Sequence, residues 1–382
     1  MNEKYLQDTL TEILYGVVNG IPARAELRKE LTPDVIAAVY QLAGRHSLAH
    51  LVSRYVFENR IEVTPEVGAK FQQADILRVY RHERMKYAFR QICEAFEEAQ
   101  IAHIPLKGSV LRAFYPEESM RTSCDIDVLV REAELERAVG VLEQKGFRCG
   151  ERHYHDISLY APNGTHLELH FSIRENMDRL DAVLKDAWEY AQAEQGSRYG
   201  FRKDFFVFHM YAHMAYHFLS GGCGIRSLLD IWIMEHRMDA AYPCAEKLLK
   251  KAGIYRFAVE MSRIANRCFT QHDSSDPVMA YIWRGGVYGS RKNRITVQKK
   301  QLGSSRAYIW KRLLLPYRAM TIRYPVLKRA PVLLPFCWVH RWARAVLRGK
   351  AGDFASELAC TGRVSDEDVQ EVTEICMRLG LE

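Results

Sequence analysis

The sequence predicts an α+β fold, a small mixed sheet with helices set between helical regions. Apolar residues recur at helical spacing from Lys4 to about Ala88, helix and strand patterns alternate over residues 89–175, and helical spacing returns over 176–276. A last stretch, 277–382, is basic and aromatic-rich. These bounds suggest an N-terminal helical region (1–88), a mixed core (89–175), a helical region lining its cleft (176–276) and a C-terminal region (277–382). With 382 residues, 48% hydrophobic and 26% charged, the chain can bury an ordinary core and has a globular composition.

In the first region Leu6, Leu10, Ile13, Leu14 and Val17 share one helical face, and Val35, Val39, Leu42 and Leu51 continue the pattern. A helix through Ile92, Phe96 and Ala99 leads to a short apolar strand, Ile101 to Leu106, then to Lys107-Gly108-Ser109 and a helix through Leu111 and Phe114. A strand from Asp125 to Val130 and a helix from Glu132 to Lys145, closed by Gly146, come next. Two further strands are joined across Pro162-Asn163-Gly164, where Asn-Gly is a hairpin-turn signal. From Leu180 to Cys268 the expectation is helix, broken at Gly196, Gly200 and Gly221-Gly222, and a short helix opening at Ser365 closes the chain.

Nine cysteines, scattered from Cys93 to Cys376 with no Cys-x-x-Cys pair, argue against a disulfide framework and a zinc knuckle and suit a reducing compartment. No signal-peptide pattern opens the chain and no apolar run reaches the ~18 residues of a spanning helix, so a cytoplasmic protein is expected. The net charge of +7 is unevenly spread. Seventeen Lys and Arg fall between Arg284 and Lys350, with no Asp or Glu between Asp276 and Asp353; 54 basic residues less these seventeen leaves 37 against 47 acidic ones.

Candidate chemistry begins in the strand Asp125-Ile126-Asp127-Val128, where alternation puts Asp125 and Asp127 on one face. Two adjacent carboxylates repel unless a cation neutralises them, and hard divalent ions take oxygen ligands, so Mg²⁺ is the natural occupant, with Mn²⁺ as an alternative. The bland alternative is a solvated strand-to-loop turn. Upstream, Lys107-Gly108-Ser109 reads as a tight turn into a helix: Gly108 permits close backbone approach, Ser109 offers a hydroxyl, and free N–H groups at a helix start attract phosphate. An ordinary helix cap fits the same residues. In His166-Leu167-Glu168-Leu169-His170, the leucines face the core and His166, Glu168 and His170 the other side, which also suits an edge strand with a polar outer face.

Taken together, Gly-Ser, then Asp-x-Asp, then an acid on a later strand resembles the polymerase-beta nucleotidyltransferase superfamily. More narrowly it is similar to a bacterial family of uncharacterised nucleotidyltransferases, through Leu106-Lys107-Gly108, Tyr115-Pro116, Arg121, Cys124-Asp125-Ile126-Asp127-Val128-Leu129-Val130 and Glu168-Leu169-His170. The similarity continues through His213, His217, Arg226-Ser227-Leu228-Leu229-Asp230 and Tyr324-Pro325, so it spans roughly residues 85–350. It implies a polymerase-beta-type core in which Asp125, Asp127 and Glu168 hold two Mg²⁺ ions. Gly108 and Ser109, aided by Lys107 and Arg121, would hold the NTP, ATP among the candidates. A nucleoside monophosphate would pass to an unidentified acceptor, whether small molecule, sugar, peptide or protein. The rival is a non-catalytic nucleotide sensor or scaffold that keeps the fold.

Other polar residues carry two readings each. His209, His213 and His217 lie on one helical face and serve either the core or cleft wall or a metal. Arg226 and Asp230 form either a helix-surface pair or a polar lining of the cleft, to which His170 and His213 would also belong. The basic segment 284–350 is an RNA or DNA contact through interleaved Tyr308, Trp310, Tyr317 and Tyr324, or a contact with an anionic membrane surface through Phe336, Trp338 and Trp342 that makes the protein peripheral there, or a face packed against the acidic remainder.

Overall fold

The computed structural model describes residues 2–287, 289–347 and 351–381. Arg348 and Lys350 of the basic segment therefore lie outside the described residues.

Side-chain caps start the N-terminal helices where the sequence supplies them. Asn2 opens Glu3–Asn19, Thr32 opens Pro33–Arg45 and Thr64 opens Pro65–Glu98, the last two with proline in the first turn, where a missing N–H costs nothing. The helix Pro65–Glu98 is 34 residues long and runs unbroken through position 88. Its second half lays Met85, Ala88, Ile92, Ala95 and Phe96 on the sheet.

That sheet has seven strands: β1 (His103–Pro105), β2 (Asp125–Val130), β3 (Arg148–Arg152), β4 (Asp156–Tyr160), β5 (His166–His170), β6 (Ala191–Gln195) and β7 (Arg198–Phe201), in the order β3-β4-β5-β2-β1-β7-β6. β2 and β5 are parallel, as are β1 and β7, and the other neighbours are antiparallel. One face is covered by the helices Pro65–Glu98 and Leu135–Gln144, which enclose Ile126, Val128, Val130, Ile157, Leu159, Leu167 and Leu169. From the other face Ile104, Leu106 and Leu129 join a larger core with the N-terminal helices and with Lys203–Ser220, Ile225–Arg237 and Tyr255–Thr270.

Several expectations change. The stretch 191–201, read as broken helix, is the hairpin β6–β7. Ala, Gln and Glu favour helix locally, but Gly196-Ser197 forms a two-residue turn, with Gly196 at φ +54°, and pairing with β1 overrides the propensity. Ser197 is held on both sides: its N–H donates to Glu97 at 2.6 Å and its carbonyl accepts from the His103 N–H. The strand expected over 101–106 is confined to His103–Pro105, and the helix expected through Phe114 is one turn, Gly108–Leu111, followed by a 3₁₀ turn. β5 lies between β4 and β2, so the edge-strand reading of its polar face does not hold.

Among the described residues the basic segment folds into helices with two small cores, around Ile295, Tyr308 and Val364 and around Met320, Leu327 and Cys337. Its counter-charges come from the C-terminal helix Asp366–Leu379, which starts in a capping box at Ser365: Lys292 pairs with Asp368 at 2.7 Å, Lys299 with Asp366 at 2.9 Å, and Arg284 with Glu371. Among the described residues no helix is long and apolar enough to cross a membrane.

Candidate active site

The parallel register of β2 and β5 decides what meets on the sheet's open face. Asp125 lies level with His166 and Asp127 with Glu168; from β4, Ser158 lies level with Glu168 and Asp156 with His170. Because the intervening aliphatic residues are drawn to the covered face, the polar side chains form a row. Ligand atoms of Asp125, His166 and Glu168 fall within 4.8 Å of one another, as do those of Asp127, Glu168 and His170, so Glu168 belongs to both groups.

Two cations sit in this acidic row. Lys107 Nζ is 3.1 Å from Asp127 Oδ1, and His170 Nε2 is 2.9 Å from the same oxygen and 3.5 Å from Glu168 Oε2. Burial alone would drive the Lys107 ammonium down, but Asp127 and Glu175 outweigh it and hold it at about 12; burial likewise opposes charge on His170, which Asp127 and Glu168 raise to about 9. Asp127, despite its burial, is kept well below the usual carboxylate range by Lys107 and His170, and the His170 hydrogen bond lowers Glu168. Among the described residues Asp125 has no such neighbour as close: burial, then Asp127 and Glu168, push it up. The carboxylates fit a hard divalent cation, because like charges are concentrated at one strand end and Asp125 is the member least compensated by protein cations.

The turn beside them is tight. Lys107 takes φ +47°, a conformation uncommon for a side-chain-bearing residue, and swings from β1 into the one-turn helix. Gly108 lies against Arg121: a Cβ there would be 3.2 Å from Arg121 Nη1. The Ser109 N–H, expected to be free for phosphate, donates to the Leu106 carbonyl at 3.0 Å, so the residue offers its hydroxyl rather than its amide.

Arg121 and Asp230 are joined across 109 residues of sequence. Arg121 Nε and Nη2 approach the Asp230 carboxylate at 2.8 Å, and the Tyr115 hydroxyl donates to it at 2.7 Å. Asp230 is buried, so the helix-surface reading of Arg226 and Asp230 fails; Arg226 reaches the Thr122 carbonyl at 3.5 Å. Opposite the carboxylates, His213 Nδ1 meets Glu175 at 3.0 Å and His217 Nε2 meets His213 Nε2 at 3.0 Å. Burial pushes Glu175 up to about 7 and drives His213 far down and His217 to about 4.

These groups surround a cavity of about 310 Å³. Lys107, Gly108, Ser109, Arg121, Asp125, Asp127, Glu168, His170, His213 and Arg226 all line it, whereas Asp230 lines a smaller neighbouring cavity. Sequence reasoning missed Glu175 and His155 in its wall, and Asp156 beside His155. The strand register could have flagged Asp156, but Glu175 lies in an irregular loop with no local signal.

Fold and cleft agree with the nucleotidyltransferase class that the motifs resemble. A family model described as "Uncharacterised nucleotidyltransferase" matches residues 33–270, and the chain belongs to that family. The match takes in N-terminal helices that the motifs left out and ends before the basic segment. No curated protein and no solved structure matches the chain.

Proposed function

We propose that the protein moves a nucleoside monophosphate from an NTP to an acceptor and releases pyrophosphate. The observation that carries this reading is the register of β2 and β5, which sets Asp125 and Asp127 beside Glu168 on the cavity side of the sheet. Two Mg²⁺ or Mn²⁺ ions held by these three carboxylates would supply charge stabilisation to the attacking and leaving oxygens. The Ser109 hydroxyl and the Gly108 backbone hold the β- and γ-phosphates, and Lys107 reaches them from beside Asp127. Arg121, neutralised by Asp230, acts by shaping the floor under Gly108. The acceptor atom bonds to the α-phosphorus as the bond to the bridging oxygen of pyrophosphate breaks. The acceptor's proton passes to Glu175, which lines the same cavity as the carboxylates and whose affinity near neutrality suits a base.

The test is incubation of the purified protein with Mg²⁺, a cell extract and each NTP labelled at either the α- or the γ-phosphate. Label from the α-position alone in a product is the expected result. Transfer of the γ-label, or equal transfer by Asp127→Asn, would overturn the assignment.

For the basic segment we favour an anionic membrane surface. Phe336, Val339, Ala343, Val346 and Leu347 form one exposed helical stripe, with Phe336 71% and Leu347 86% accessible. The opposite side is anchored by Trp338 and Trp342, which donate to the Leu315 and Leu313 carbonyls. Arg323, Lys328, Arg329 and Arg344 are exposed nearby in sequence and have no carboxylate partner among the described residues, so the apolar stripe and the charge together suit anionic lipid.

A further inference from the structure

On the β4 side of His170, away from Asp127, lies a cluster that the transfer chemistry does not use. We propose that His155, Asp156 and His170 form a binding site for a divalent transition-metal ion of the zinc type, distinct from the carboxylate site of Asp125, Asp127 and Glu168. One ligand atom from each of the three residues lies within 4.8 Å of the other two. Each residue also carries a buried polar atom with no hydrogen-bond partner: Nδ1 of His155, Oδ1 of Asp156 and Nδ1 of His170. Asp156 and His170 are each only 4% exposed. Buried polar atoms are mostly paired in folded proteins, and here the three orphans belong to the same three side chains whose ligand atoms converge, which points to an absent ligand.

The chemistry selects the kind of ligand. Two imidazoles and one carboxylate favour zinc and its neighbours over Mg²⁺, which prefers oxygen. His170 is oriented as metal-binding histidines usually are: its Nε2 is held by Asp127 and Glu168, which leaves Nδ1 for an ion. The backbone fixes the remaining ligands. Asp156 and His170 are register partners in β4 and β5, and the His155 carbonyl accepts from the N–H groups of Phe171 and Ser172 at 3.0 and 3.2 Å. The His155 and His170 rings lie nearly parallel, 5.6 Å apart. Bonds of about 2.0–2.1 Å to zinc would draw the ligand atoms closer, a movement within reach of side-chain rotation. The histidines on Lys203–Ser220 compete less well, because His213 is engaged by Glu175 and His217.

The experiment reads metal and not transfer, so it stands whether or not the nucleotidyltransferase reading survives. Chelator-stripped full-length protein is dialysed against Zn²⁺ in excess Mg²⁺, and bound zinc is measured by elemental analysis. The stripped protein is also loaded with Co²⁺ and its visible spectrum recorded. One zinc per chain is expected, with cobalt bands of a low-symmetry site. Asp156→Asn and His155→Gln should each weaken binding by about a hundredfold, while Asp125→Asn and His213→Gln retain it. His155 is partly exposed and is tied by its backbone, so His155→Gln is the variant expected to fold with least disturbance. No zinc on the wild type, undiminished binding in a folded His155→Gln protein, or loss in His213→Gln instead would overturn the proposal.

Discussion

Asp127 is shared by two buried cations, Lys107 and His170, and substituting it separates chemistry from folding. Asp127→Asn removes a proposed metal ligand and should lower transfer by about a thousandfold. It also leaves the Lys107 and His170 cations without their shared partner, so the variant should fold but lose about 3 kcal/mol in urea denaturation. Wild-type stability would show that the pairing contributes little. At Arg121 and Asp230 the same reasoning gives a cycle. Asp230→Asn strands a buried guanidinium and should cost about 3–5 kcal/mol, while Arg121→Met combined with Asp230→Leu should recover much of that loss. Additive losses would contradict a specific coupling.

Glu175 contributes a pH dependence of its own. Its folded value of about 7 lies above the unfolded value of about 4.3, so between these the folded protein holds a proton that the unfolded chain has released. The contribution to stability is present below about 4.3, declines as pH rises, and is lost above about 7, a change on the order of 3 kcal/mol. Glu175→Gln should therefore flatten the decline measured by denaturation at pH 5 and pH 8. It should also lower turnover if Glu175 is the base. An unchanged slope would show that Glu175 is not held neutral by burial.

At the scale of elements, the hairpin β6–β7 tests how far local propensity can be overridden. Gly196 needs its positive φ, and a Cβ there would collide with the Glu97 carboxylate that binds the Ser197 N–H. Gly196→Ala should cost at least about 1 kcal/mol. Faster hydrogen exchange should be concentrated in β7 and β1, since Ser197 is the link between them. Uniform acceleration over the whole sheet would mean that the hairpin is not a separate unit. The C-terminal helix is a contrasting case: its capping box was written into Ser365, and its start was readable without any tertiary contact.

For the whole molecule, uneven charge and an exposed stripe give one prediction. The protein should co-sediment with vesicles containing phosphatidylserine, not with neutral phosphatidylcholine vesicles, and should be released as the Debye length falls from about 10 Å at 0.1 M salt to about 3 Å at 1 M. Phe336→Ser should weaken binding about tenfold. Retention by RNA with no vesicle binding would move the segment to a nucleic-acid role, and failure to bind either would leave it a face answered by the C-terminal helix.

The sequence by itself determined what depends on near neighbours along the chain. Alternation placed Asp125 with Asp127, and His166 with Glu168 and His170. Helical spacing located the flanking regions, and Gly108 with Ser109 marked the turn, because side-chain direction in a strand or helix follows from the backbone repeat alone. Only the tertiary structure decided which of these faces meet. β5 became an interior strand because β4 and β2 flank it, which turned a polar edge into the wall of a cavity. Asp230 found Arg121, not a helical neighbour, and Glu175 reached His213, because such pairings depend on distances between segments far apart in sequence. The hairpin at 191–201 was settled in the same way: pairing with β1 supplied hydrogen bonds that outweighed a helical local preference.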